Sequence, residues 1–320
     1  LKIGVVTTGI MAIYLKNGIS SNNHESIILD WMDNNILDKI DDLNKCDFVI
    51  LTGCGQVISS HRINILNKIK PPKFYWVIDT LRRWPEEHND VLKICGKIFI
   101  SQKDNELLKD SRIQWFPLAY DHILFDDTNL IISDEEKSQY ECNVLYVGTF
   151  NNARKLKFFD ILSEFDFKWF GNNPPGKHFV QNNKNYFYPQ YKEWSGSAIY
   201  GQDFLKATRC AKINVNMHYS HFPINKLHDE QGPNPKTFEL VGMKNFVIVD
   251  NVAGVLGLFK NNEHLVVYNT LDGLRDKIKF YLENDKIRAR IAESGAKEVR
   301  EKHTYQKRIQ EICDKIVTNA

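Results

Sequence analysis

Short, nearly continuous apolar runs alternate with helix-patterned segments along this chain, and that alternation restricts its fold more than any other feature. In the first half, Lys2–Thr7, Asp47–Leu51, Phe74–Ile78, Lys97–Ile100 and Ile113–Phe116 read as strands. Between them Glu25–Leu37, Arg62–Ile69, Glu87–Ile94 and Asp104–Leu108 carry apolar residues at helical spacing. Ile28, Trp31 and Met32 share one face there, as do Ile65, Leu66 and Ile69. Strands apolar on both faces and separated by helices belong to a parallel sheet covered on both sides. The pattern lapses over polar Asp121–Tyr140, which reads as a linker, and then restarts. Cys142–Val147, Phe167–Trp169, Lys212–Val215 and Phe246–Val249 are predicted strands, with helices at Arg154–Ser163, Asp203–Thr208 and Lys236–Val241. Three helices close the chain near Leu271–Glu283, Lys286–Arg300 and Tyr305–Val317, the first striped by Leu271, Leu274, Ile278 and Leu282. The predicted class is α/β with two units of similar size. Such units leave a cleft between them, and open parallel sheets bind ligands at the carboxyl ends of their strands.

Composition narrows the function. The 320 residues are 42% hydrophobic and 26% charged with ten prolines, which excludes a disordered chain, a collagen-like repeat and a disulfide-stapled scaffold. A net charge of +2 gives no overall polybasic signal for nucleic acid or anionic lipid. No apolar run approaches the ~18 residues of a membrane helix, and no charged-then-apolar leader precedes the first strand. The six cysteines are scattered without a CxxC pair, as expected of free thiols. The expectation is a cytoplasmic protein without a transmembrane segment.

The most informative stretch is Gln231-Gly232-Pro233-Asn234-Pro235-Lys236-Thr237-Phe238-Glu239. A Pro/Gly-rich loop delivers the chain to a helix start, and Pro235 suits the first turn because its missing N–H costs nothing there. Free N–H groups and the positive dipole end then form an anion site, to which Lys236 adds a full charge. Glu239, one turn on, is placed to accept two hydrogen bonds from a vicinal diol such as a ribose. The same residues also suit a plain capped helix in which Glu239 only complements the dipole.

From about Lys212 to Ile312 the chain resembles the C-terminal domain of the CgeB-like (spore-maturation-protein-like) glycosyltransferases, relatives of the group 1 glycosyltransferases. Asn234-Pro235-Lys236-Thr237-Phe238-Glu239 stands where that family carries Asn-x-Arg-x-Phe-Glu, and Val247-Ile248-Val249-Asp250 matches its strand ending in Asp. Ile291-Ala292-Glu293-Ser294-Gly295 and His303-Thr304-Tyr305 with Arg308 follow the family's tail, and Tyr146-Val147-Gly148-Thr149-Phe150 with Arg154 its domain-opening strand. Lys236 replaces the family's Arg, and Gln231, beside Glu230, stands at the first of two glutamates that the broader group spaces eight positions apart.

The resemblance implies a GT-B fold of two Rossmann-like domains whose parallel sheets face a central cleft. The expected boundaries are 1–130 for an acceptor-side domain, 131–141 for a linker, 142–302 for a nucleotide-sugar domain, and 303–320 for a C-terminal helix returning to the first domain. It implies a metal-independent glycosyltransferase using a nucleotide-sugar, with a UDP-sugar as the expected substrate and no separate cofactor. Lys236 and Arg154 would neutralise the leaving diphosphate, and Gly9, Gly148, Thr149, Gly171, Asn234 and Glu239 would contact the donor. Arg154 equally suits an exposed helix position, and Trp169-Phe170-Gly171-Asn172 either the loop beneath a nucleobase or core.

Asp79 ends an apolar run and is followed by Thr80-Leu81-Arg82-Arg83-Trp84. A carboxylate at a strand's carboxyl edge is placed to take a proton from an acceptor hydroxyl, with Arg82, Arg83 and Trp84 gripping the acceptor. Strand-end aspartates also cap turns. Gly53-Cys54-Gly55 begins a dinucleotide fingerprint, but Ile58 stands at the third glycine. His218, His221 and His228 lack cysteine partners and an HExxH motif, so no metal site is expected. No P-loop is present. The acceptor is not named by the sequence. A phage-type DNA acceptor and a non-catalytic two-lobed binder are the alternatives, and the near-neutral charge does not indicate DNA.

Overall fold

The computed structural model describes residues 1–31, 36–53, 64, 66–79, 89–149, 154–171, 179–181, 184–186, 195–218 and 231–317. Among these, a six-stranded parallel sheet is built from β1 (Lys2–Thr7), β2 (Glu25–Asp30), β3 (Phe48–Gly53), β4 (Lys73–Val77), β5 (Lys97–Ile100) and β6 (Ile113–Trp115). Its order is β2-β1-β3-β4-β5-β6. The second half contributes β7 (Cys142–Val147), β8 (Phe167–Phe170), an antiparallel pair β9 (Phe179–Gln181) and β10 (Lys184–Tyr186), then β11 (Ser195–Gly196), β12 (Ala211–Asn216), β13 (Val247–Asp250) and β14 (Val266–Tyr268). Apart from the β9–β10 pair these form a second parallel sheet, β11-β8-β7-β12-β13-β14. The helices are α1 (Ile10–Ser20), α2 (Ile40–Leu43), α3 (Asn89–Ile94), α4 (Asp134–Tyr140), α5 (Arg154–Leu162), α6 (Gly201–Cys210), α7 (Pro235–Gly242), α8 (Ala253–Leu256), α9 (Leu271–Leu282), α10 (Asp285–Lys302) and α11 (Tyr305–Val317). All six residues of β3 and five of six in β1 are buried, as strands covered on both faces must be.

Three expectations are corrected. In the segment expected as a helix over Glu25–Leu37, Glu25–Asp30 is instead edge strand β2, in register with β1 from Lys2↔Glu25 to Thr7↔Asp30, and residues 32–35 lie outside the described residues. The helix of this first crossover is α1, whose Met11, Tyr14, Leu15, Gly18 and Ile19 form the buried face. Short apolar runs are ambiguous between helix and strand, and the unpaired backbone of β1 decides the matter. Trp31 then turns inward and its Nε1–H donates to the Thr52 carbonyl at 2.7 Å. Asp104–Leu108 tightens into a 3₁₀ turn at Leu107–Lys109, with Asp104 Oδ1 accepting from the Glu106 and Leu107 N–H groups. Finally, Asp121–Tyr140 is not featureless, because Ser133 and Glu136 form a capping box that starts α4. Tyr140 at its end is buried against Phe170, 5.6 Å between centroids, and Lys206 of α6 donates to Glu136 at 2.6 Å. Of Arg62–Ile69, residues 62, 63 and 65 lie outside the described residues, and Leu66 and Ile69 are buried.

The chain's tail docks onto the first half. The Tyr120 N–H donates to the His303 carbonyl (2.8 Å) and the Tyr305 N–H to the Tyr120 carbonyl (3.0 Å), a short parallel bridge. Arg308, buried, donates through Nε to the Pro117 carbonyl at 2.8 Å. Helix α11 then packs on α1, and Gly18 is required there because a Cβ would lie 2.8 Å from the Tyr305 carbonyl oxygen. One apolar cluster consequently includes Ile3, Phe48 and Trp76 of the first sheet, Leu145 and Val249 of the second, and Ile309 of α11.

His303 is buried beside this bridge. Arg308 Nη2 lies 3.3 Å from its Nδ1, and because arginine cannot accept, the imidazole proton sits on Nε2. That nitrogen has no hydrogen-bond partner among the described residues. Burial, and then the Arg308 charge, push the imidazole down from 6.5 to about 4. The unfolded chain therefore takes up this proton near pH 6.5, whereas the native state resists it until about pH 4. Stability from this site is complete above pH 6.5 and declines as pH falls towards 4, by up to about 1.4 kcal/mol per pH unit. In urea titrations across that window, His303→Gln should flatten the slope. An unchanged slope would exclude His303 as its source.

Candidate functional site

The site is organised by the first turn of α7. Asn234 is its N-cap, with Oδ1 accepting from the Thr237 N–H at 3.0 Å, and Pro235 occupies the first helical position. Asn216, at the end of β12, donates from Nδ2 to Asn234 Oδ1 and to Thr237 Oγ1, both at 2.9 Å. Thr237 Oγ1 lies 3.3 Å from His218 Nε2, and His218 Nδ1 lies 2.6 Å from Asp250 Oδ1 at the end of β13. The carboxyl ends of two adjacent strands thus hold the helix start through buried polar side chains.

The loop ahead of α7 is held by the other half of the molecule. Gln102, just past β5, accepts at Oε1 from the Gln231 N–H (2.8 Å) and the Gly232 N–H (2.7 Å). A Cβ at Gly232 would overlap the Ser101 carbonyl oxygen, so only glycine permits this approach. Fewer N–H groups are therefore open to an anion here than the sequence predicts: Pro235 has none, Asn234 takes that of Thr237, and Gln102 takes two more.

Lys236 and Glu239 lie one turn apart on α7 and line one cavity of about 290 Å³ together with Gly148, Thr149 and Gly171. Lys236 Nζ donates to the Val147 carbonyl at 2.8 Å, leaving two ammonium protons uncommitted by that bond. Burial pushes the Lys236 ammonium down, opposed by the Glu239 charge. Glu239 is buried, and Oε1 accepts from the Tyr14 hydroxyl at 2.6 Å. Burial raises its carboxyl, while the Tyr14 hydrogen bond and then Lys236 pull it down. Gly148 and Gly171 close one wall at the ends of β7 and β8. A Cβ on Gly171 would overlap the Gly148 carbonyl oxygen, to which Trp169 Nε1 donates at 2.7 Å. Trp169 is accordingly core, whereas Phe170 lines the cavity.

The structure thus brings five of the sequence-predicted donor residues together: Gly148, Thr149, Gly171, Lys236 and Glu239. Asn234 acts one step removed, as the cap. Gly9, with φ of 61°, makes the turn into α1 and so places Ile10 and Tyr14 on the cavity. Arg154 begins α5; its side chain, together with Arg82, Arg83, Trp84, His221 and His228, lies outside the described residues. Asp79 is exposed just after β4 and does not line the donor cavity. Sequence reasoning missed Tyr14 as well as Leu124, Phe125, Ile199, Tyr200, Gly201 and Phe204, which also line the cavity. The buried face of α1 was the signal for Tyr14. Gly201 and Phe204 begin α6, whose helical pattern does not say which of its residues face the cavity, and the others come from positions outside helices and strands.

Among the described residues, no group of His, Cys, Asp and Glu is arranged to hold a metal, and no helix is long and apolar enough to cross a membrane. The described cysteines Cys46, Cys95, Cys142, Cys210 and Cys313 are free thiols.

No curated protein sequence matches the chain significantly. Solved structures do match its fold end to end. HepE from Anabaena, solved with UDP-glucose, superposes with a TM-score of 0.65 over 99% of both chains at 9% identity. A glycosyltransferase from Rickettsia africae gives 0.64 over 100% of this chain and 99% of its own at 13% identity. Sucrose-phosphate synthase from Thermosynechococcus elongatus gives 0.64 over 100% of both at 8% identity. These identify the two facing parallel sheets as a GT-B fold. The glycosyl transferase-like family model matches residues 154–314, the half of the chain that carries α7 with Lys236 and Glu239. On that match the chain belongs to the glycosyl transferase-like family and is a glycosyltransferase of GT-B fold.

Proposed function

We propose that the protein transfers a sugar from a nucleotide-sugar, with a UDP-sugar as donor, to an acceptor hydroxyl. The observation that carries this reading is the meeting of Lys236, Glu239, Gly148, Thr149 and Gly171 around one cavity between the sheets. Glu239 would grip the ribose diol, and Lys236, with Arg154 at the start of α5, would face the diphosphate. A buried ammonium whose charge is penalised gains most when an anion arrives, and Lys236 meets that condition. As the bond from the anomeric carbon to the diphosphate breaks, its electron pair moves onto the phosphate oxygen. Fixed cations there stabilise the transition state more than the ground state, without requiring a metal. HepE's complex with UDP-glucose supports the choice of donor.

The acceptor's proton would pass to Asp79. In the order β1-β3-β4-β5, Tyr14 touches the second half beside β1, and Gln102 touches it beyond β5. Asp79 follows β4, between those two contacts and two strands from β1, about 10 Å at ordinary strand spacing. That separation suits an acceptor lying alongside the donor, with Arg82, Arg83 and Trp84 on the following loop as its grip. The Asn234–Glu239 and His303–Tyr305 motifs support a place in the CgeB-like branch. The free cysteines fit a cytoplasmic protein.

Calorimetry with UDP and turnover with UDP-sugars test these roles. Glu239→Ala should weaken free UDP by ten- to a hundredfold, as loss of a charge-assisted hydrogen bond does. Undiminished affinity in a folded variant excludes the diol contact. Lys236→Met should lower kcat/KM, and full turnover would make Lys236 a structural cation only. Asp79→Asn should cut turnover by about 10²-fold with UDP affinity intact, whereas unaltered turnover assigns the base elsewhere.

A further inference from the structure

We propose that Tyr14 is a positioning residue for donor binding: reaching across from the first domain, it holds the Glu239 carboxylate in place, so that the diol site is complete only when the two domains are docked. This rests on the donor reading above and extends it to a residue of the opposite domain.

Tyr14 lies on α1, 225 positions from Glu239, and its hydroxyl donates to Oε1 at 2.6 Å with both side chains buried. Its ring is fixed. It stacks on Tyr305 at 4.9 Å and 21°, and Tyr305 belongs to the docked tail. Gly18, one turn along α1, is pressed against the Tyr305 backbone. The hydroxyl therefore has a set position rather than a swept arc. Because Tyr14 takes Oε1, Oε2 is left to face a ligand hydroxyl in the cavity that both residues line. If the domains part, Glu239 loses a donor while remaining on α7. Docking and diol recognition are thus coupled through one hydrogen bond.

The charge environment gives that coupling a measurable sign. The groups facing Glu239 are Tyr14 on α1, Lys236 on its own helix, Asp121 between the domains, and Tyr305 on α11. Burial and Asp121 favour the neutral carboxyl, whereas Tyr14 and Lys236 favour the carboxylate. A strong hydrogen-bond acceptor for ribose hydroxyls requires the carboxylate. Removing the Tyr14 hydroxyl leaves Lys236 alone against burial, so protonation of Glu239 moves to higher pH.

Calorimetry of UDP binding to the full chain between pH 5.5 and 8.5 tests this. Tyr14→Phe keeps the ring stacking. It should bind UDP about tenfold more weakly at neutral pH, with the acid limb of the affinity profile displaced upward. In a Glu239→Ala background the same change should cost nothing further. Should Phe unsettle the fold, 3-fluorotyrosine at position 14, a stronger donor, should displace the limb downward. An undisplaced limb, or a full Tyr14→Phe loss in the Glu239→Ala background, overturns the role of Tyr14 while leaving the donor reading standing. Wild-type protein that fails to bind UDP, or whose binding ignores Glu239→Ala, overturns the donor reading and this proposal with it.

Discussion

The return of the C-terminal segment to the first sheet is the interaction on which the rest depends. Two parallel sheets joined by one polar connection share no obligatory orientation. Here Tyr120 exchanges backbone hydrogen bonds with His303 and Tyr305, and Arg308 is buried on the Pro117 carbonyl. These contacts press α11 onto α1 and merge both halves into one apolar cluster. A buried guanidinium is costly unless its donors are satisfied, so the segment has few alternative seats. The seat it takes sets the height of α1 over α7, and hence whether Tyr14 reaches Glu239.

The cavity follows from that seating and from the glycines at strand ends. Gly171 stands where a side chain would strike the Gly148 carbonyl, and lets two strand ends close to form a wall, while Gly232, in the loop before α7, lets that loop close on the Ser101 carbonyl. Between the walls an ammonium and a carboxylate lie one helical turn apart in apolar surroundings. Each partly stabilises the other's charged form and each is penalised by burial. Such a pair is weak support for the fold itself and well suited to a polar ligand that brings its own hydroxyls and phosphates.

Much of this was legible in the chain. The continuous apolar runs named the parallel sheets, and the stretch from Asn234 to Glu239 named the helix and the two residues that now share the cavity. The misreadings have physical causes. Ile28, Trp31 and Met32 stand one helical turn apart, yet Glu25–Asp30 becomes a strand because β1 needs a neighbour. The capping box at Ser133 was present in the letters but masked by surrounding polarity.

What the sequence determined by itself was local: the central strands of each sheet, where α7 begins, and that a cation and a carboxylate lie on adjacent turns of it. Those properties depend on residues within a few positions of one another, through side-chain period, capping and the missing N–H of proline. Only the tertiary structure decided that Tyr14 meets Glu239, that Gln102 seals the loop before α7, and that Trp169 is core while Phe170 faces the cavity. Each of these depends on how two sheets are seated by a tail distant in the chain, and no local spacing encodes a distance across a cleft.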